Sequence, residues 1–217
     1  MMSGSSAHRH LGVDSRRITG ICVSFGLGLA AAAVGAEPLD DATAALERKD
    51  FTAAVALLTP LAEQGNAFAQ VNLAYLTFEG EGTAADAAQA AKWYRLAAEQ
   101  GDENAQYNLG VMYENGKGVD RDLTEAAKWW RKAARQGSAD AQYNLGALYY
   151  NGRGVAKDYV RAYLWKSLAA DGTVTTVPQR RARAGRDAIG AVMSQSQLAE
   201  ARALIAACQA SDFEGCE

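Results

Sequence analysis

Ala69-Gln70-Val71-Asn72-Leu73-Ala74 returns as Ala105-Gln106-Tyr107-Asn108-Leu109-Gly110, and again as Ala141-Gln142-Tyr143-Asn144-Leu145-Gly146. The step is 36 residues each time, from 69 to 105 to 141. Other marks keep that phase. Gly80 and Gly82 recur as Gly116 and Gly118, then as Gly152 and Gly154; Asp86, Asp122 and Asp158 follow. Ala90, Ala126 and Ala162 come next, then Trp93, Trp129 and Trp165, and paired alanines at 97–98, 133–134 and 169–170 close the units. Self-similarity at such a period marks a solenoid of small helical or sheet units. A weaker unit precedes these, with Asp50, Ala54 and Gly65 in phase and Leu57 in the tryptophan position.

Each period reads as two helices. Over about residues 103–114, Ala105, Leu109, Met112 and Tyr113 recur three to four apart on one stripe. Gly116 and Gly118 then permit backbone turns that a side chain would penalise. Over about residues 122–135, Asp122 can cap the first turn; Leu123, Ala126, Ala127, Trp130 and Ala133 form the apolar stripe, with Trp129 on its flank. Gly137 ends that helix. The repeated residues read as a frame: alanines allow close helix approach, and Trp93, Trp129 and Trp165 fill the wide end of each wedge. Asn72, Asn108 and Asn144 are expected to be buried amides bonded to a neighbouring loop, and Gly116 and Gly152 to make the turns. The sum is an all-α, right-handed solenoid of stacked hairpins.

The period fails after Ala170. Gly172 arrives one position early, and Thr173 to Val177 form a β-branched loop ended by Pro178. A helix is expected over residues 180–193, with Arg180, Arg181, Arg183 and Arg186 as a solvated basic flank. Ser194 or Ser196 can cap a last helix over about residues 197–207, with Leu198, Ala201, Leu204 and Ile205 inward. This pair reads as a terminal cap. Cys208 and Cys216 lie beyond it; bridged, they would staple the tail to the last helix, and the alternative is two separate thiols. Their spacing does not fit a Cys-x-x-Cys redox motif.

The amino terminus carries Arg9, Arg16 and Arg17, then an apolar run from Ile18 to Val34 and small residues at Val34-Gly35-Ala36. That order is a secretory signal peptide over residues 1–36; an uncleaved anchor is the alternative, though the run is short for a bilayer. Ser15-Arg16-Arg17 partly resembles a twin-arginine signal. The organisation is then signal at 1–36, divergent first repeat at 37–66, repeats at 67–172, and capping helices with tail at 173–217. The full chain of 217 residues is 49% hydrophobic and 22% charged with a net charge of -3. Removing the signal leaves the chain more acidic, which argues against nucleic acid as a partner. It also removes His8 and His10, the two histidines. No His triad or His metal site is then available, and no cofactor is indicated.

Read from Ala90 to Gly110, Ala-x-x-Trp-Tyr-Arg-Leu-Ala-Ala-Glu-Gln-Gly-Asp-Glu-Asn-Ala-Gln-Tyr-Asn-Leu-Gly resembles the Sel1-like repeat family, relatives of tetratricopeptide repeats. Tyr113-Glu114-Asn115-Gly116-Lys117-Gly118-Val119 and Tyr149-Tyr150-Asn151-Gly152-Arg153-Gly154-Val155 match that family's loop; the first clear unit departs with Thr77 and Thr83. The resemblance covers about residues 50–172 and implies an adaptor or scaffold. A cysteine-rich branch of the family has been associated with β-lactams, but its intra-repeat cysteine pairs are absent here.

The expected function is protein–protein interaction in the periplasm or after secretion, on a concave face built from the first helix of each hairpin. Candidate contact positions vary between units at fixed phase: Tyr75, Val111 and Ala147 in one register, Phe78, Glu114 and Tyr150 in the other. Lys117 and Arg153 on the loops can meet a carboxylate. The partner is expected to be a protein or peptide, with no membrane insertion after cleavage. Two other readings are an envelope enzyme acting on a β-lactam or cell-wall peptide and a self-assembling structural component. The enzyme lacks a Ser-x-x-Lys pair and an activated base.

Overall fold

Asp50, Asp86, Asp122 and Asp158 each start a helix, because each side chain accepts from a backbone N–H of the following turn. The acceptor distances are 3.1 Å from Ala53, 2.9 Å from Gln89, 2.8 Å from Thr124 and 2.9 Å from Arg161. The computed structural model describes residues 37–171, 177–211, 213 and 216. The proposed signal segment and the Thr173–Thr176 loop lie outside those residues.

Among the described residues, ten helices follow in chain order: α1 (Glu37–Glu47), α2 (Phe51–Glu63), α3 (Ala67–Glu79), α4 (Ala87–Glu99), α5 (Glu103–Asn115), α6 (Leu123–Arg135), α7 (Ala139–Asn151), α8 (Tyr159–Ala170), α9 (Val177–Gly190) and α10 (Gln195–Ala210). No strand occurs among the described residues. Up to α9, each helix packs chiefly on the one before and the one after it. This is an all-α solenoid of repeated helical hairpins.

Within a hairpin, the first helix ends on a glycine in the left-handed region, where Gly116 (φ 67°) donates to the Met112 carbonyl and Gly152 (φ 66°) to that of Leu148. The second loop glycine carries the packing. A Cβ on Gly118 would lie 2.0 Å from the Ala87 carbonyl oxygen at the start of α4. Gly82 and Gly154 stand in the same way against Phe51 and Leu123. The loop of each repeat therefore rests directly on the backbone of the preceding one.

Second helices are buried over a wide arc because they are covered on both sides. In α6, Trp129 (7% exposed) joins Trp130 (1%) in the core, so it is no flank residue. Trp165 is equally enclosed, whereas Trp93 is half-buried and packs against both hydrophobic clusters, one around α2–α3 and one from α3 onward. Trp130 fits because Gly110 faces it; a Cβ there would lie 2.5 Å from the indole. Its Nε1 donates to the Tyr107 carbonyl at 3.1 Å.

The carboxyl-terminal pair differs from the sequence expectation at its boundaries. α9 begins at Val177, so Pro178 sits in the first turn, where its missing N–H costs nothing. Ser194 caps α10 through a reciprocal box with Gln197. Cys208 and Cys216 are joined, with Cα atoms 4.6 Å apart and both residues buried.

Candidate functional site

The repeats are locked by a buried amide network made by glutamines and not by the recurring asparagines expected above. Asn72, Asn108 and Asn144 are only half-buried, and Asn72 donates to the Phe68 carbonyl of its own helix at 2.8 Å. The buried amides are their neighbours two residues earlier, Gln70, Gln106 and Gln142. Their Nε2 atoms donate to the Ala62, Ala98 and Ala134 carbonyls of the preceding hairpin at 3.0, 3.1 and 3.0 Å. Gln100 and Gln136 complete two of them, donating to Gln70 and Gln106 at 2.7 and 2.8 Å. Spacing alone does not separate them: Gln106 lies three residues before Leu109 and Asn108 four before Met112, so both border the apolar stripe on opposite sides.

A second set of inter-repeat bonds lies nearer the surface. Arg95 of α4 donates to the Tyr113 hydroxyl of α5, and Arg131 of α6 to that of Tyr149 in α7, at 3.0 Å in the latter case. At the first interface the corresponding residues are Thr59 and Thr77, which cannot repeat that bond. Asn66 and Asp102 cap α3 and α5, the first-helix counterparts of the expected second-helix caps.

Against this frame stand the six candidate contact residues. Tyr75 is half-buried, packs on the α2–α3 cluster, and has its hydroxyl raised by burial and by Glu81 and Glu79. Val111 and Ala147 are half-buried, Val111 against the main core. This register is therefore partly absorbed by packing. In the other, Phe78 is half-buried with the Lys117 ammonium of the next repeat's loop 5.3 Å from its ring centroid. Glu114 is half-buried, and its carbonyl accepts from Arg121 at 2.9 Å. Tyr150 is exposed at 39%, its ring 5.7 Å from that of Tyr159. Lys157 lies 4.9 Å from the Tyr159 ring, and a hydrogen bond to Tyr159 raises its pKa. Tyr159 and Lys157 were not singled out in the sequence; they join Tyr150 because the α7–α8 loop folds back over the end of α7.

These clusters suit recognition: a ring supplies stiff contact area, and a cation beside it supplies a charge that can meet a carboxylate. Among the described residues, no group of three or more His, Cys, Asp or Glu is placed to hold a metal ion, and no helix is long and apolar enough to cross a membrane.

Comparison with known proteins agrees with this architecture. The Sel1 repeat profile matches residues 44–66, 67–102, 104–138 and 139–173, more than half of the chain. The chain is 32% identical to the crystal structure of a Sel1 repeat protein from Oxalobacter formigenes, over 79% of this chain and 76% of that one, with a TM-score of 0.64. It is 35% identical, with a TM-score of 0.64, to a protective antigen present in uropathogenic Escherichia coli strains that displays an SLR fold. That match covers 76% of this chain, which spans about a third (34%) of the antigen's length. No curated protein matches the sequence.

Proposed function

We propose, from the premise that the chain belongs to the Sel1 repeat family, that it is an exported scaffold holding a protein or peptide partner. Proteins of this family typically act as protein–protein interaction scaffolds and are not enzymes. The partner lies along the face carrying positions 78, 114 and 150, presented by the ends of α3, α5 and α7 on the concave side. Residues 1–36 direct the chain to the periplasm or outside the cell, and residues 37–217 form the mature protein.

One observation carries this reading. Exposed Tyr150 with half-buried Tyr159 and Lys157, and Phe78 beneath Lys117, occupy equivalent ends of hairpins that share the glycine contacts and the Gln bonds. A fixed frame with chemically different residues at one phase is how a repeat array encodes a partner's sequence. Acidic and aromatic side chains on the partner fit these clusters.

The test is photo-crosslinking in cells from residues 78, 114 and 150, with exposed second-helix positions Ala88 and Thr124 as controls. Discrete products from the first set and none from the controls are expected. Equal yields from both sets would contradict the assignment of the face.

A further inference from the structure

The loops that join paired helices differ in charge along the array. Net charge is -2 over residues 78–85, from Glu79 and Glu81, and 0 over residues 114–121. It is +2 over residues 150–157, from Arg153 and Lys157. Each loop is followed by one cap aspartate (Asp86, Asp122 or Asp158), which leaves the difference between loops unchanged. Among the described residues, Glu79, Glu81, Arg153 and Lys157 enter no ion pair. Their charge is therefore open to a partner.

The loops form one continuous edge. Gly118 lies against Ala87, directly after the first loop, and Gly154 against Leu123, directly after the second. Lys117 reaches back from the second loop to the Phe78 ring. Rings accompany the charge at both ends. Burial raises the pKa of the Tyr75 hydroxyl, and Glu81 and Glu79 raise it further, so both carboxylates lie near that ring. At the other end the Lys157 ammonium is 4.9 Å from the Tyr159 ring centroid and 6.0 Å from that of Tyr150, and Arg153 is exposed beside them. The short α1–α2 turn, with Arg48 and Lys49, bounds the acidic end.

We infer that this edge fixes the direction of a bound peptide segment, acidic side chains at the α7–α8 loop and basic side chains at the α3–α4 loop. The inference rests on the face proposed above and adds the partner's order of charge. A reversed segment would set like charges together at both ends, and that repulsion selects one orientation. An extended peptide suits the edge better than a second copy of this chain. Two copies related by a two-fold axis would match opposed ends, but a stable pair needs an apolar centre. Among the described residues, Tyr150 is the one large apolar side chain of these loops that is exposed. Phe78 and Tyr159 are half-buried, where single side chains of a narrow segment can reach them.

The experiment follows amide signals of the purified chain on addition of Asp-Tyr-Glu-Gly-Ser-Gly-Lys-Tyr-Arg, blocked at both ends and carrying a nitroxide at its acidic end. A second sample carries the nitroxide at the basic end. The acidic-end label should broaden Arg153 and Lys157 and spare Glu79 and Glu81; the basic-end label should do the reverse. R153E combined with K157E should weaken binding about tenfold with an unchanged melting temperature. Adding E79K and E81K to that pair should reverse the broadening pattern. Equal broadening of both loops by either label, or full affinity in the R153E and K157E variant, would overturn the direction and leave the face. Broadening confined to other residues, or no saturable binding, would overturn both. A dimer of the chain alone that excludes the peptide, seen by light scattering, would overturn the inference in favour of a second copy.

Discussion

Gln106 donates to the Ala98 carbonyl of α4 and accepts from Gln136 at the end of α6, so one side chain ties three helices. Replacing it by Leu keeps the volume but removes two hydrogen bonds, leaving the Ala98 carbonyl with the Gly101 N–H and the Gln136 amide with the Gly101 carbonyl. The expected cost is about 2 kcal/mol in urea denaturation, against under about 1 kcal/mol for Asn108→Ala. A converse case is Lys166, which occupies the place of Tyr94 and Trp130 in the last repeat. It is 5% exposed, its ammonium lies 3.0 Å from the Tyr143 ring centroid, and burial lowers its pKa to about 8. The unfolded chain binds the proton more tightly than the folded one, so stability rises between about pH 8 and pH 10 and is flat below that. Lys166→Met should abolish this rise and add about 2 kcal/mol at pH 7, both read from melting at a series of pH values.

At the scale of the element, the loop between paired helices decides how closely repeats stack. Gly118 and Gly137 both have positive φ, at 71° and 94°, but only Gly118 has backbone against the place of its Cβ; Gly137 has nothing within 4 Å. Gly137→Ala should therefore cost about 1 kcal/mol, the conformational penalty alone. Gly118→Ala must also push two repeats apart and should cost at least about 3 kcal/mol, with a less cooperative denaturation curve. Helix number, phase and second-helix caps were legible in the sequence because they depend on period and local chemistry. The Gln–Asn assignment was not, because identity across repeats and helical spacing mark both residues alike, and only the side on which the preceding hairpin packs separates them. Nor was the junction of Tyr150 with Tyr159, which depends on where a loop places residues nine positions apart. The start of α9 was missed because Val177-Pro178 reads locally as a loop, yet proline is tolerated in a first turn.

Across the whole molecule, the frame repeats while one row of positions does not. The Gln ladder, the Arg–Tyr bonds and the glycine contacts recur at 36-residue intervals, and each links a hairpin to its neighbour. Damage at one interface should therefore spread along the array. The far end is closed differently, by α10 lying on α8 and by the Cys208–Cys216 bridge. Reduction of that bridge should lower stability by about 2 kcal/mol and speed hydrogen exchange in α10 while α3–α7 stay protected. The central claim is that the variable row, and no feature of the frame, binds the partner. Its most direct test is the dissociation constant between the purified chain and its crosslinked partner, measured for the native protein and for F78S combined with Y150S. The account predicts a loss of at least about tenfold with α-helical content and melting cooperativity retained. Undiminished affinity in a folded double variant would contradict it.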